Sequence, residues 1–271
     1  MNFSAELSAA IVAARLAGAA IRREYETFVP IPDAPVTIST HVDRLAQDLI
    51  LESLATAFPD DGFVAEEATA SYDRLAKSGP RMWVVDPIDG TRGFAKKNGQ
   101  FSVMVGLTID GRPVVGAVYE PIPDILTYAA IDGGCFVQRG DAGPVKCRVR
   151  ECAALADSIV VKSHTKPGMS APEVAVLAPA GTIVTYSAGI KLALVARGEA
   201  DIYPNDYSRF SDWDICAGHI LVTEAGGTVT QLRGEPITYH RDGGKQAGGL
   251  LATNGRLHEA AVERLRTLPT A

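Results

Sequence analysis

Cysteine is scarce in this chain: Cys135, Cys147, Cys152 and Cys216 are the only four in 271 residues. None stands in C-x-x-C spacing and the density falls far below that of a disulfide scaffold, so reduced thiols in a cytoplasmic protein are the simplest reading. No G-x-S-x-G segment occurs, which removes the nucleophile elbow, and no cysteine is placed as a nucleophile. The histidines, His41, His164, His219, His240 and His258, are scattered without metal-ligand spacing and are assigned to surface or packing positions. Positive charge is in short supply, with 26 Lys and Arg against 32 Asp and Glu, a net charge of −6. That balance argues against nucleic acid, which selects a basic face. Long hydrophobic runs are missing too. The Ala-rich stretch Leu7–Ile21 follows Glu6, lacks a basic leader and is interrupted by Arg15, so it is neither a signal sequence nor long enough to span a membrane.

What is present is ordinary for a globular protein: 46% hydrophobic and 21% charged residues, in a length that suits one large or two intimately packed domains. Phe3, Leu7, Ile11, Ala14, Ala17 and Ile21 recur at helical spacing and predict a packed N-terminal helix. A Pro-rich connection, Val29–Pro35, separates it from a second helix starting near Asp43, with Leu45, Leu49, Ile50 and Leu54 on its apolar face. Phe63-Val64-Ala65 reads as a short strand ending at Glu66, and residues 68–80 as an exposed polar loop and helix. Phe101–Ile109 and Pro113–Tyr119 flank Asp110-Gly111, a hairpin signal, and a further strand precedes Asp132-Gly133-Gly134. Later, Ser158–Lys162 and Ile183–Tyr186 read as strands. Ile190–Ala196 and Ile215–Ala225 read as helices, with Gly198 and Gly226-Gly227 at their C-terminal caps. An α+β half, residues 1–150, thus meets an α/β half, residues 151–271.

The most informative run is Trp83-Val84-Val85-Asp86-Pro87-Ile88-Asp89-Gly90-Thr91-Arg92-Gly93-Phe94. An apolar triplet suggests the end of a buried strand, and two carboxylates follow three positions apart across Pro87. Two like charges about 5 Å apart repel by roughly 3 kcal/mol at an effective dielectric of about 20. A divalent cation converts that repulsion into attraction, and hard oxygen ligands suit Mg²⁺. Gly90-Thr91 then permits a tight turn into a helix whose N–H groups are open to a phosphate. A plainer alternative remains, in which Asp89 caps a helix and Asp86 sits in a turn.

Asp86-Pro87-Ile88-Asp89-Gly90-Thr91 resembles the signature of the inositol monophosphatase superfamily of Mg²⁺-dependent, lithium-sensitive phosphatases. Glu66-Glu67 resembles its acidic pair, and Trp213-Asp214 with Glu224-Ala225-Gly226-Gly227 its second signature, in the family's order. The resemblance covers nearly the whole chain. It implies a layered αβαβα sugar-phosphatase fold with the active site between the halves. By family position Glu66, Asp86, Asp89 and Asp214 would bind two or three Mg²⁺ ions, with Asp86 bridging and the Ile88 carbonyl completing one shell. Asp43 and Thr91 would activate water, a carboxylate accepting the hydroxyl proton of an otherwise weak base. Two local alternatives stay open, because Thr40 with Asp43 and Ser211 with Asp214 also spell capping boxes. The segment after Pro35-Val36-Thr37 departs from the family's pattern, and an upstream Lys is absent.

Arg92-Gly93-Phe94 and Lys191, in Gly189-Ile190-Lys191-Leu192, resemble the 3′(2′),5′-bisphosphate nucleotidase branch, where a basic residue meets a second phosphate. Ser187-Ala188-Gly189 stands where the family has a Gly-Ser-small run, and Asn205 where this branch often has Arg. Asp206, Tyr207 and Arg209 occupy the stretch in which inositol monophosphatases carry a sugar-binding Glu. Substrate contacts are thus expected from Gly90, Thr91, Arg92, Ser187, Ala188, Gly189 and Lys191, although Lys191 also fits a solvent-facing helix position.

The function expected is a phosphomonoesterase acting by metal-activated water on adenosine 3′,5′-bisphosphate, with inositol monophosphate and histidinol phosphate as alternatives. A catalytically silent binder of a phosphorylated ligand is the competing class. The partner expected is a small phosphorylated substrate, not nucleic acid or a membrane; a homodimer is left open.

Overall fold

The computed structural model describes residues 2–165, 171–206 and 210–268. Helix α1 (Ser4–Thr27) buries a stripe of small residues, Ala10, Ala13, Ala14, Ala17 and Gly18, with Ile21 at its end. The stripe exists because the helix lies directly on a strand: a Cβ on Gly18 would stand 2.3 Å from Tyr119 Cε1. At 24 residues α1 outruns the predicted segment and is, by length and composition, apolar enough to cross a bilayer, which corrects the expectation that nothing reaches that length. Its apolar side packs into the core with Phe63, Trp83 and Tyr119.

Helix α2 (His41–Ala57) is capped by Thr40, whose hydroxyl accepts from Val42 N at 3.1 Å. Its buried face comprises Val42, Asp43, Ala46, Gln47, Ile50, Leu51 and Leu54. Of the predicted face, Ile50 and Leu54 are buried and Leu49 is half-buried. Leu45 is 40% exposed, and the space beneath the helix is taken by two polar side chains, Asp43 and Gln47, each with internal partners.

Seven strands form the first sheet in sequence order: β1 (Gly62–Ala65), β2 (Arg81–Asp89), β3 (Ser102–Ile109), β4 (Arg112–Glu120), β5 (Ile125–Ala130), β6 (Gly134–Arg139) and β7 (Val145–Lys146). β1 and β2 are parallel; the rest is an antiparallel meander. Asp110 and Gly111 take φ of 50° and 73°, the left-handed pair that a two-residue hairpin matched to strand twist requires. β2 continues through Asp89 instead of ending at Val85, with a register shift between Asp86 and Asp89 opposite β3. Such an irregularity re-aims side chains, and here it lies between two carboxylates. A five-residue helix, α3 (Thr91–Ala95), follows. In the 68–80 stretch the helical turn is a short 3₁₀ segment, Tyr72–Arg74.

The second sheet has the order β12-β14-β10-β8-β9, built from β8 (Ile159–Lys162), β9 (Gly181–Val184), β10 (Ile202–Asn205), β12 (Thr228–Thr230) and β14 (Leu250–Thr253). A two-stranded ribbon joins β11 (Phe210–Ser211) to β13 (Lys245–Gln246). Helices α5 (Ala188–Ala196) and α6 (Asp212–Glu224) fill the space between the sheets, while α4 (Pro172–Leu177) and α7 (His258–Leu265) cover the outer face of the second. With α1 and α2 outside the first sheet, the layers read αβαβα. The chain passes from one sheet to the other between Lys146 and Ile159, a connection that contains residue 150. α6 belongs to both halves: a Cβ on Gly116 of β4 would meet Ala217 O at 2.3 Å, and Val229 of β12 joins the same core cluster.

Candidate active site

A cavity of about 830 Å³ opens where the ends of β1 and β2 face the N-termini of α5 and α6. Glu66, Asp86, Ile88, Asp89, Gly90, Thr91, Arg92, Ala188, Lys191 and Asp214 line it. Parallel pairing of β1 with β2 sets Glu66 beside Asp86, and the register shift in β2 brings Asp89 to the same side. Asp214 arrives from the first turn of α6. Carboxylate oxygens of Asp86, Asp89 and Asp214 lie within 4.8 Å of one another.

The electrostatics of this cluster ask for a cation. Burial pushes the Asp86 carboxyl well above the usual carboxylate range, and Glu66, Asp89 and Asp214 push it further. Burial and the Asp89 charge raise Asp214 to about 7, against the Ser211 N–H and the nearby Lys245 and Lys191. Desolvation at the cavity wall and the Asp214 charge raise Glu66 to about 8. Asp89 is raised by burial, opposed by the Ser187 hydroxyl, the Lys191 charge and backbone N–H groups of α5. Asp86 Oδ1 is buried with no hydrogen-bond partner among the described residues. A buried, orphaned carboxylate oxygen amid three further carboxylates fits a hard divalent metal.

Several acids also hold the local backbone. Asp214 Oδ2 accepts from Ser211 N at 2.6 Å, so the capping arrangement and the cluster coexist in one residue. Asp43 behaves in the same way. Its Oδ2 accepts from Thr40 N at 2.8 Å and Thr40 Oγ1 at 2.6 Å, while Oδ1 stands 3.0 Å from Thr91 Oγ1. Burial raises the Asp43 carboxyl and the Thr40 and Thr91 hydrogen bonds oppose the rise. Thr91 Oγ1 is also 3.0 Å from the Ile88 carbonyl, so its single proton has two acceptors to choose between. Gly90 takes φ of 87°, and a Cβ there would strike Gln100 O at 2.8 Å, which reserves the position for glycine.

Not every expected contact faces the cavity. Ser187 and Gly189 lie behind its wall: Ser187 Oγ and Gly189 N both donate to Asp89 Oδ2, the latter at 2.7 Å. Ser187 is fully buried and its Oγ also accepts from Ile190 N at 2.9 Å, so these groups tie α5 to a cluster carboxylate. Lys191 is 1% exposed and not a solvent-facing residue; its Nζ donates to Tyr186 O at 2.9 Å and lies 5.1 Å from the Tyr203 ring centre. Burial lowers its ammonium to about 8, against the pull of Asp89 and Asp214. Asp206 lines the cavity, whereas Tyr207 and Arg209 lie outside the described residues.

His164, assigned from the sequence to a surface or packing position, lines the cavity. His164 follows β8 and stacks on Tyr186, which follows the parallel neighbour β9, at 4.1 Å between ring centres. Arg92 lies 5.1 Å from the same Tyr186 ring, and its Nε has no hydrogen-bond partner among the described residues. His164 is held below its usual pKa by burial and then by Lys191, Arg92, Lys96 and Lys162. Its one available signal was position, just beyond the end of a parallel strand, where open α/β sheets bind ligands.

The inositol monophosphatase family model matches residues 4–270. A 3′(2′),5′-bisphosphate nucleotidase CysQ of Salmonella typhimurium is 34% identical over 239 residues, 83% of this chain and 90% of that relative. An inositol-1-monophosphatase of Bacillus subtilis is 29% identical, covering 84% and 83% respectively. Among solved structures, an inositol monophosphatase from Anabaena superposes with a TM-score of 0.81 at 28% identity, over 100% of this chain and 98% of that one. With its acidic cluster, layered fold and end-to-end match, this chain belongs to the inositol monophosphatase family, whose members are metal-dependent phosphoric monoester hydrolases of small phosphorylated substrates.

Proposed function

We propose that this hydrolase uses Mg²⁺, two or three ions in the working site, to remove the 3′-phosphate of adenosine 3′,5′-bisphosphate. The observation that carries the reading is the polarity of the cavity. Four carboxylates gather at one side, and Arg92, Lys191 and His164 surround Tyr186 at another. A substrate with one anionic group needs only the first region; one with a second phosphate uses both. The volume of about 830 Å³ lies within the ordinary range for ligands larger than a sugar phosphate. Similarity to bisphosphate nucleotidases supports the same branch.

Glu66, Asp86, Asp89, Asp214 and the Ile88 carbonyl would hold the metal. When bound, Mg²⁺ neutralises phosphoryl oxygens and acidifies a water for in-line attack. The chain's own contribution is positional. Asp43 fixes the Thr91 hydroxyl and is the acceptor for its proton, so that Thr91 Oγ1 presents a lone pair to the attacking water. The short start of α3, entered through Gly90, faces the cavity where the reacting phosphate belongs. The Asp89–Ser187–Gly189 links hold α5, and with it Lys191, at a fixed distance from the cluster. A silent binder has no use for a paired Thr91 and Asp43.

The test is release of phosphate from adenosine 3′,5′-bisphosphate, inositol 1-phosphate and histidinol phosphate, with and without Mg²⁺. Preference for the bisphosphate supports the branch assignment. Preference for either single-phosphate substrate replaces it, and no metal-dependent release from any of them removes the catalytic reading.

A further inference from the structure

We propose that Gln47 is the positioning residue that holds Glu66 in the metal shell, an inference that rests on the metal-dependent reading above. The four cluster carboxylates are not equally supported by secondary structure. Asp86 and Asp89 lie within β2 and Asp214 within the first turn of α6, where the backbone is fixed by ladder or helix. Glu66 has no such frame. β1 ends at Ala65, and the Glu66 N–H reaches Val85 O only at 3.3 Å.

The missing frame is supplied from α2. Gln47 is fully buried, and its side-chain amide pairs with both backbone polar groups of Glu67. Gln47 Nε2 donates to Glu67 O at 2.6 Å, and Glu67 N donates to Gln47 Oε1 at 2.8 Å. A planar amide with one donor and one acceptor does here what the peptide group of a neighbouring strand would do, extending the order of β1 past its last ladder residue. Ser39 Oγ adds a hydrogen bond to Glu67 Oε1 at 2.7 Å from the loop on the cavity rim. Glu67 is therefore the anchored residue, and Glu66 is the residue that the anchor aims.

The geometry is selective for glutamine. Asparagine is one methylene too short to reach both atoms, and an ionised glutamate would set an acceptor against the Glu67 carbonyl. Gln47 also sits one helical turn beyond Asp43 on the buried face of α2. One helix thereby positions the Thr91 partner and, four residues on, the strand end that carries Glu66.

The test measures metal binding directly, by titrating the metal-free protein with Mn²⁺ and following free Mn²⁺ by electron paramagnetic resonance. Gln47→Met keeps the volume and removes both hydrogen bonds; Gln47→Asn keeps a buried amide and serves where the first variant does not fold. Each should weaken Mn²⁺ binding by about 10- to 100-fold, the usual effect of removing a group that orients a metal ligand. KM for substrate at saturating metal should stay unchanged. A purely structural role predicts a lower melting temperature with an unaltered Mn²⁺ constant, and that result overturns the proposal. Wild type that binds no Mn²⁺ removes the metal reading and this inference together. Wild type that binds while the folded variants bind equally well removes Gln47 alone.

Discussion

Asp43 holds two threonines with one carboxylate: Thr91 Oγ1 is 3.0 Å from Oδ1, and Thr40 closes the cap of α2 on Oδ2. The cap and the proposed catalytic role thus fall on one residue, and mutation of Asp43 alone cannot separate them. Thr40 offers the separation. Thr40→Ala should destabilise the protein by about 1 kcal/mol, the usual cost of a lost cap, while kcat changes little. Thr91→Ala and Asp43→Asn should each lower kcat by about 10²–10⁴-fold, and the double variant should be little worse than either single. Multiplicative losses in the double variant, measured by steady-state kinetics beside thermal melts, would reduce Asp43 to a cap.

Asp89 connects the cluster to α5 through Oδ2, which accepts from Ser187 Oγ and Gly189 N. Asp89→Asn can keep an oxygen toward those donors, so the helix should stay in place while the carboxylate charge is lost. Turnover should vanish with the melting temperature near that of metal-free wild type. Chelation by EDTA should do the same to wild type, and added Mg²⁺ should restore it. Lithium inhibition is expected on the family likeness alone. Full activity in metal-free buffer would exclude the metal chemistry.

Metal-free protein should also show an inverted response to pH. Asp86 is raised well above its usual value, and Asp214 and Glu66 to about 7 and 8. Glu66 opens onto the cavity, where solvent screens it, so the two aspartates dominate. Acids with raised folded pKa values bind more protons folded than unfolded. Their contribution to stability is therefore greatest below the unfolded values near 4 and declines as pH rises through the folded ones. In EDTA the melting temperature should fall between about pH 5 and pH 8; with Mg²⁺ present that slope should flatten, because the cation replaces the protons. Parallel melting curves with and without metal across this range would contradict the account.

Where the chain's chemistry is local, it was legible in the sequence. Asp110-Gly111 needs only its own backbone to make a hairpin, and the Asp86–Thr91 run carries two carboxylates of the acidic cluster and a turn within six residues. The α2 face was legible at Ile50 and Leu54 but not at Leu45, because Asp43 and Gln47 are buried with Thr40, Thr91 and Glu67, partners remote in sequence or invisible to a hydrophobic period. That polar demand turned Leu45 toward solvent. His164 was assigned to surface or packing for a similar reason, since its neighbour Tyr186 follows the next strand of a parallel pair and no spacing announces it. Ser187 and Gly189 were expected to meet substrate because they stand where the family has a Gly-Ser-small run. Only the packed structure shows that Asp89 has claimed them.

Lys191 decides how the second region of the cavity is read. Its ammonium supports the Tyr186 carbonyl at 2.9 Å while facing the Asp89 and Asp214 charges, so it can serve substrate, cluster or fold. If it reads a second phosphate, Lys191→Met should raise KM for adenosine 3′,5′-bisphosphate by about 10- to 150-fold, the value of one charge-assisted contact. Inositol 1-phosphate should be almost unaffected, since it carries no second phosphate. Salt should imitate the substitution in part, because screening acts more on this contact than on the metal-held phosphate. The wild type adds an internal control. Burial lowers its ammonium to about 8, so KM for the bisphosphate should climb as pH passes that value, and the climb should disappear in Lys191→Met. Arg92, whose Nε has no hydrogen-bond partner among the described residues, should give a smaller effect of the same selectivity in Arg92→Met. Equal losses on both substrates would place Lys191 with the acidic cluster or the fold, and the single-phosphate substrates would then take precedence.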